Sequence, residues 1–353
     1  MDSLNLQLER IFKNKTVLIT GHTGFKGSWL AAILNTYGAK VNGLSLEPRD
    51  EKDHINYLDF PINQIYTDIN NDHEVQKHIE KINPYFIFHL AAQSLVKESY
   101  SNPLNTWKTN VIGTLNILNS SIGLRQLRGI IIATTDKCYQ NNEWEWGYRE
   151  VDRLGGHDPY SASKASAEIA VSSFRSSFFS EQNSIPICTV RAGNVIGGGD
   201  WSKDRLIPDV FRSVMDQKKL VVRFPNATRP WQHVLDCLYG YLKLSVSMLE
   251  NENFESGAFN IGPNIDANIK VIEILKHFQK RNKKFSYMIS NKKNLHEAQM
   301  LYLDSSKAYS KLGWKPKLSI YESLDLTSEW YENFINNGTI QTIKQIQDFQ
   351  KFL

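Results

Sequence analysis

Apolar residues recur in short β-branched runs, separated by longer stretches in which they return every three or four positions. The first run, Lys15 to Thr20 (KTVLIT), is followed by glycines and then by a helical pattern through Trp29, Leu30, Ile33 and Leu34. This predicts strand, turn and helix, with the helix closing at Tyr37-Gly38, where glycine takes a left-handed conformation. Lys40 to Leu46 reads as a second strand, and further strands are expected at Tyr85 to Leu90 (YFIFHL), Gly129 to Thr134 (GIIIAT) and Ile185 to Arg191 (IPICTVR). Alternation of this kind predicts an α/β fold: a doubly wound parallel sheet with helices on both faces. After Arg191 the rhythm breaks at Gly197-Gly198-Gly199-Asp200, in a stretch that also holds Pro208, Pro225 and Pro230. Helices are expected near Val234 to Leu249, Ile269 to Gln279, Ser305 to Leu312 and Ser319 to Ile335, and a strand at Ala258 to Ile261. The predicted division is a sheet domain over 1–192, with a returning segment around 229–262, and a smaller C-terminal α/β lobe over 193–353.

Composition narrows the function. The 353 residues carry 41 Lys and Arg against 37 Asp and Glu, a net charge of +4, and are 41% hydrophobic and 22% charged. That balance excludes a nucleic-acid polycation, a disordered chain and a fibre. Cys138, Cys188 and Cys237 are widely spaced and form no CxxC pair, so neither a disulfide scaffold nor a metal site is expected, and a cytoplasmic setting fits. The first residues, MDSLNLQLERIFKNK, do not read as a secretory signal, and no run approaches the ~18 apolar residues of a membrane span.

Two motifs carry candidate chemistry. Gly21-His22-Thr23-Gly24-Phe25-Lys26-Gly27 sits between a strand and a helix. There, missing side chains let the backbone approach a pyrophosphate, and the helix N-terminus offers free N–H donors. The same glycines also fit a plain strand-to-helix turn. At the end of the second strand Glu47 is a candidate for the ribose hydroxyls, whereas Arg49 suits a 2′-phosphate, leaving NAD and NADP both open. Asp68 and Ile69 are candidates for the adenine edge, and Leu90, Ala91 and Ala92, at a strand end, for the dinucleotide itself. Those small residues equally suit close packing of a helix on the sheet.

The second motif, Tyr160-Ser161-Ala162-Ser163-Lys164, places Tyr160 and Lys164 on one helical face if Asp158-Pro159 starts the helix. A lysine beside the phenol favours tyrosinate; lowering a tyrosine by about three pKa units needs ~4 kcal/mol, which lysine, a nicotinamide cation and low dielectric supply together. Thr134-Thr135-Asp136-Lys137 directly follows the GIIIAT strand, at the sheet edge where open α/β folds bind ligands.

GHTGFKGSWL, TTDKCYQNNEWEWGYRE, DPYSASK, RAGNVIGGGDW, DRLIPD and RPWQHV, in this order, resemble the extended short-chain dehydrogenase/reductase family, in particular the CDP-glucose branch of its nucleotide-sugar 4,6-dehydratases. The likeness spans nearly the whole chain and implies a Rossmann-type fold with tightly bound NAD and a nucleotide-sugar substrate, CDP-glucose. It implies a place in deoxysugar and surface-polysaccharide synthesis. Carried over by position, it assigns the cofactor to Gly21, Thr23, Gly24, Phe25, Lys26, Gly27, Asp68, Ile69, Leu90, Ala91, Ala92, Tyr160 and Lys164. Catalysis falls to Thr135, Asp136, Lys137, Tyr160 and Lys164, and substrate holding to Gln93, Asn194, Arg205 and Arg229. Tyr160 would take the 4-hydroxyl proton, Asp136 would protonate the departing 6-hydroxyl, and Lys137 would remove the C5 proton or stabilise the enolate. Related dTDP-glucose enzymes carry Asp-Glu where this chain has Asp136-Lys137, and an arginine where it has His296-Glu297-Ala298, so nucleotide grip is expected to differ.

The alternatives are a 4-epimerase of the same fold, a dehydratase of another nucleotide hexose, and a non-catalytic nucleotide sensor. Asp136 argues against the first and the retained Tyr160 and Lys164 against the last. The resemblance also implies a homodimer or homotetramer, paired through helices near Pro103 to Ile122 and Pro159 to Phe179; Phe174, Phe178 and Phe179 suit either that interface or the core.

Overall fold

The computed structural model describes residues 3–179, 185–290 and 300–353. Its first helix, α1 (Leu4–Phe12), was not anticipated; Leu4, Leu8, Ile11 and Phe12 return at helical spacing and are buried. Then β1 (Thr16–Thr20), α2 (Phe25–Thr36), β2 (Lys40–Ser45), β3 (Asn63–Tyr66), α3 (Asp72–Ile82) and β4 (Phe86–His89) alternate. Gly38 has φ 72°, so the expected left-handed stop of α2 is present.

The next helical stretch is broken into α4 (Val96–Ser101), α5 (Pro103–Trp107) and α6 (Gly113–Asn119), with a π-helical turn at Lys108–Ile112 between the last two. Strand β5 (Ile130–Ala133), helix α7 (Pro159–Phe178) and strand β6 (Ile187–Arg191) complete the first half. Pro159 opens α7, and the Asp158 carboxylate accepts from the Ser161 N–H at 3.0 Å.

The irregular region contains β7 (Asn194–Ile196), α8 (Leu206–Met215), β8 (Leu220–Val222) and β9 (Thr228–His233). After it come α9 (Val234–Glu250), β10 (Ala258–Asn260), β11 (Asn268–Lys270), α10 (Val271–Arg281), β12 (Tyr287–Ile289), α11 (Ser306–Leu312), α12 (Ile320–Asn337) and α13 (Thr342–Gln350). Among the described residues the main sheet has seven parallel strands in the order β10-β6-β5-β4-β1-β2-β3. The α/β doubly wound expectation is met. Strand order reverses between β1 and β4, which opens a crevice at their carboxyl ends. Smaller sheets, β11-β9-β7 and β8-β12, flank that crevice.

Helix α2 is buried almost all round, from Gly27 to Leu34, because the sheet lies on one side and α9 and α13 on the other. One large apolar core runs from α1 and α2 through α9 to α12, and a second, around Ile87, Ile117, Ile130 and Val171, fills the opposite face of the sheet. These two layers hold the strand ends, and the loops leaving them, in fixed positions.

Candidate active site

Strand β1 delivers the glycine loop to the crevice. Gly21 has φ +75°, and a Cβ there would lie 2.7 Å from the Ala91 backbone nitrogen; one at Gly27 would lie 2.1 Å from the Gly21 oxygen. Side chains are therefore excluded from the turn by the backbone just past β4 and by the loop itself. Gly24 caps α2 with no side-chain bond, and the helix has no acidic residue in its first turn, so its N–H groups suit an anion. Thr23 donates to the Leu46 carbonyl and meets the Ser45 hydroxyl, both at 3.0 Å, which ties the loop to the end of β2. Glu47 and Arg49 are both exposed just beyond. This arrangement fits a dinucleotide.

Neighbouring expectations divide. Leu90 and Ala92 line the large cavity with Phe25 and Lys26, while the Ala91 N–H is held by Thr20 Oγ1 at 3.2 Å. Lys26 donates to the Tyr241 hydroxyl at 3.2 Å, and burial lowers its pKa. Asp68 is exposed and accepts from the Asn70 N–H at 2.9 Å. Ile69 packs in the core and its carbonyl accepts from Asn116 at 2.9 Å, so it does not offer its side chain to a ligand.

At the other side of the crevice, Tyr160 and Lys164 are both buried on α7. Lys164 donates to the Ala133 carbonyl at 3.0 Å, and burial, then Lys26, draws its pKa down to about 8. Tyr160 departs from expectation: burial pushes its pKa up, against the opposing pull of Lys137, the Thr135 hydroxyl bond and Arg205. Lys137 rather than Lys164 leads the groups favouring tyrosinate, since the Lys164 ammonium turns to the strand carbonyl.

Past the end of β5 the chain makes a tight turn at Asp136–Cys138, capped by Thr135 Oγ1, which accepts from the Lys137 N–H at 3.3 Å. Thr135 Oγ1 and Lys137 Nζ each donate to Asp136 Oδ1 at 3.0 Å. The other oxygen, Oδ2, is buried without a partner, facing Gly193, where a Cβ would come within 3.2 Å of it. An unpartnered buried carboxylate oxygen can carry a proton or meet a hydroxyl.

Thr135, Lys137, Tyr160, Lys164, Asn194, Arg205 and Arg229 line the same cavity of about 1250 Å³, whereas Asp136, expected among them, is buried and does not line it. Arg205 spans it, donating to Asp200 at 3.1 Å and Ser94 at 3.2 Å. Gln93 is the correction: its amide donates to Leu95 O and Thr106 and accepts from the Leu95 N–H, so it shapes the loop and does not line the cavity. His296-Glu297-Ala298 lies outside the described residues.

Sequence reading missed Asn110, which the π-helical turn carries to the Gln93 backbone (2.9 and 3.0 Å) and to Ser163 Oγ (2.9 Å), joining that loop to α7. It also missed Glu168 and Arg191, a buried ion pair at 2.8 Å. For Glu168 a signal existed: it continues the Tyr160, Lys164 stripe by one more turn. Among the described residues no group of three or more His, Cys, Asp or Glu could hold a metal, and no helix is long and apolar enough to cross a membrane.

Known proteins share this arrangement of the chain. A family profile described as GDP-mannose 4,6 dehydratase matches residues 18–327. A curated relative, CDP-glucose 4,6-dehydratase of Salmonella typhimurium, is 40% identical over 352 residues, covering 97% of this chain and 98% of the relative. Among solved structures, an epimerase of Methanothermobacter thermautotrophicus superposes with a TM-score of 0.83 at 23% identity, covering 98% of both chains. The dTDP-glucose 4,6-dehydratase of Bacillus anthracis, solved with NAD, gives 0.74 at 21% identity over 93% of this chain and 99% of that one. With the profile spanning most of its length and a relative at that identity matching nearly end to end, the chain belongs to the GDP-mannose 4,6 dehydratase family of extended short-chain dehydrogenases/reductases.

Proposed function

We propose that this protein converts CDP-glucose to CDP-4-keto-6-deoxyglucose and water, with NAD held in the crevice between β1 and β4. The observation that carries the reading is Lys137, which lines the same cavity as Tyr160 and is joined at 3.0 Å to the buried Asp136: an epimerase needs the phenol but has no use for an acid and a base at C5 and C6. The cavity, about 1250 Å³, exceeds the roughly 300–1000 Å³ of a single-ligand pocket. Bound NAD supplies a hydride acceptor that gives the hydride back.

Tyr160 takes the 4-hydroxyl proton, with Lys137 and Arg205 stabilising its anion against the burial that opposes it. The resulting 4-ketone acidifies C5. Asp136 then protonates the departing 6-hydroxyl while Lys137 removes the C5 proton. Since the two are joined at 3.0 Å, transfer of one proton from Lys137 to Asp136 turns the ion pair into a neutral acid and a neutral base. Arg229 and Arg205, with Asn194, are assigned to the sugar-diphosphate, for which forked guanidinium donors are suited. Residues 1–192 with 229–262 supply the cofactor half of the cleft and the rest of 193–353 the substrate half.

We assign the assembly to a homodimer built on α5 to α7, supported by exposed Leu104 (84%), Ile169 (60%) and Phe178 (51%) on those helices; Phe179 is core.

The test is incubation with CDP-, dTDP-, UDP- and GDP-glucose, followed by mass spectrometry for a 4-keto-6-deoxy product. Product from CDP-glucose supports the assignment, and turnover of dTDP-glucose alone rejects the substrate. With deuterium at C4, the label is expected on the C6 methyl.

A further inference from the structure

Bordering the cavity at Thr134 and Tyr139 lies a buried polar cluster that the mechanism does not use. Glu168 sits one turn beyond Lys164 and two beyond Tyr160 on α7, and both of its carboxylate oxygens accept hydrogen bonds. Thr134 Oγ1 donates to Oε1; Thr189 Oγ1 at 2.7 Å and Arg191 Nη2 at 2.8 Å donate to Oε2. Arg191 reaches on to the Tyr139 hydroxyl (2.8 Å) and the Glu150 carbonyl (3.1 Å), and Tyr139 donates to Asn260 Oδ1 at 2.7 Å. One ion pair thus touches α7, the end of β5, β6, the residue after the Asp136–Cys138 turn, and through Tyr139 β10.

A buried pair is weak evidence for stability, because desolvation offsets its attraction, and apolar residues of the same volume often serve as well. Its placement is specific. Thr134 is adjacent to Thr135, so Glu168 grips the strand end that bears Thr135 and Asp136 from the helix that bears Tyr160 and Lys164. We propose that Glu168 and Arg191 are positioning residues that lock the axial register of α7 against the end of β5, setting Tyr160 and Lys164 relative to Thr135 and Asp136. The inference rests on the dehydratase reading for its kinetics, since the register matters only if these four residues act together.

The charges agree with the geometry. Lys164 is faced by Lys26 from α2, His89 from β4, Cys138 from the turn after β5 and Glu168 from its own helix; Lys26 opposes its charge, whereas Glu168 and Cys138 favour it. Arg191, from β6, keeps Glu168 ionised. Neutralising Glu168 should therefore both loosen α7 and let Lys164 lose its proton at lower pH.

The experiment is Glu168→Gln in the NAD-loaded enzyme, mixed with CDP-glucose in single turnovers across pH 6 to 9, reading reduced cofactor. The expected result is hydride transfer slowed by about tenfold or more, a KM for the sugar nucleotide within about twofold of the parent, and an alkaline limb displaced to lower pH. A second readout needs no substrate. With its depressed pKa, Lys164 makes the unfolded chain bind more protons above about pH 8, so stability rises with pH there; that rise should begin at lower pH in cofactor-free Glu168→Gln. A purely structural role would lower melting temperature alone. Parent rate per folded molecule, with neither profile moved, overturns the proposal. If Glu168→Gln does not fold, Thr134→Val and Thr189→Val, which each delete one hydroxyl from the cluster, decide: slowed oxidation at unchanged KM in either supports it, and parent kinetics in both overturn it. If the parent does not oxidise CDP-glucose, the substrate assignment fails, and the cofactor-free stability profile still decides this inference.

Discussion

Tyr160→Phe keeps the ring that fills the cavity wall and removes the proton acceptor, so formation of reduced cofactor is expected to fall by about 10²–10⁴-fold while the fold is retained. Stopped-flow absorbance after mixing with CDP-glucose measures it. Asp136→Asn and Lys137→Ala act later: hydride transfer should persist, reduced cofactor should accumulate, and loss of water should slow by roughly 10²-fold. Parent-like water loss in Lys137→Ala would remove that lysine from the C5 step. Gly27→Ala places a Cβ where only 2.1 Å separates it from the Gly21 oxygen, so the loop must move. NAD released on denaturing the purified variant should drop well below one per chain, and a full complement would show that the loop tolerates the methyl group.

Helices and strands were legible where pattern and punctuation coincide. KTVLIT, YFIFHL and IPICTVR became strands within two residues of their expected ends, and Gly38 and Pro159 mark helix boundaries as read. Other elements were hidden for physical reasons. Strand β3 is short, polar and at a sheet edge, with little apolar alternation; α1 is not among the expected elements although its buried positions keep helical period. The π-helical turn adds a residue per turn without any special composition, so nothing in Lys108–Ile112 announces that Asn110 will point inward. Tyr160, Thr135, Asp136 and Lys137 stand out in the sequence because each sits at an element boundary, and Lys164 because it follows Tyr160 by one helical turn. The side chains of Gln93 and Ile69 are already committed within the fold, which proximity to a cleft in the sequence does not reveal. For the helices α5 to α7, Leu104→Glu with Ile169→Glu puts charge on the exposed apolar positions; sedimentation should convert a dimer to a monomer, and an unchanged mass would move the interface elsewhere.

Over the whole molecule, distant segments close on one another through buried polar residues. His54 bonds Ser28 on α2 at 2.8 Å and Thr342 on α13 at 2.7 Å, and Trp330 of α12 also donates to Thr342 at 2.9 Å. Burial holds His54, His89 and His233 each near pKa 3, below the roughly 6.5 of the unfolded chain. Their stabilisation is complete above that value and is lost as pH falls toward 3, because the unfolded chain takes up protons that the folded one refuses. By pH 5 each should cost about 2 kcal/mol. Urea unfolding at pH 7 and 5 measures the sum; equal stability at both would mean the imidazoles are not buried as described.

Strand β10 joins the main sheet beside β6 only after a long excursion, and it brings Asn260, which accepts from Tyr139 and donates to the Tyr148 and Asp304 carbonyls. During synthesis, a nascent chain that has not yet emerged past residue 260 carries β6 as a naked border with unpaired peptide groups, open to any other strand. Early termination or proteolytic nicking before that point would leave a sticky fragment rather than a smaller working enzyme.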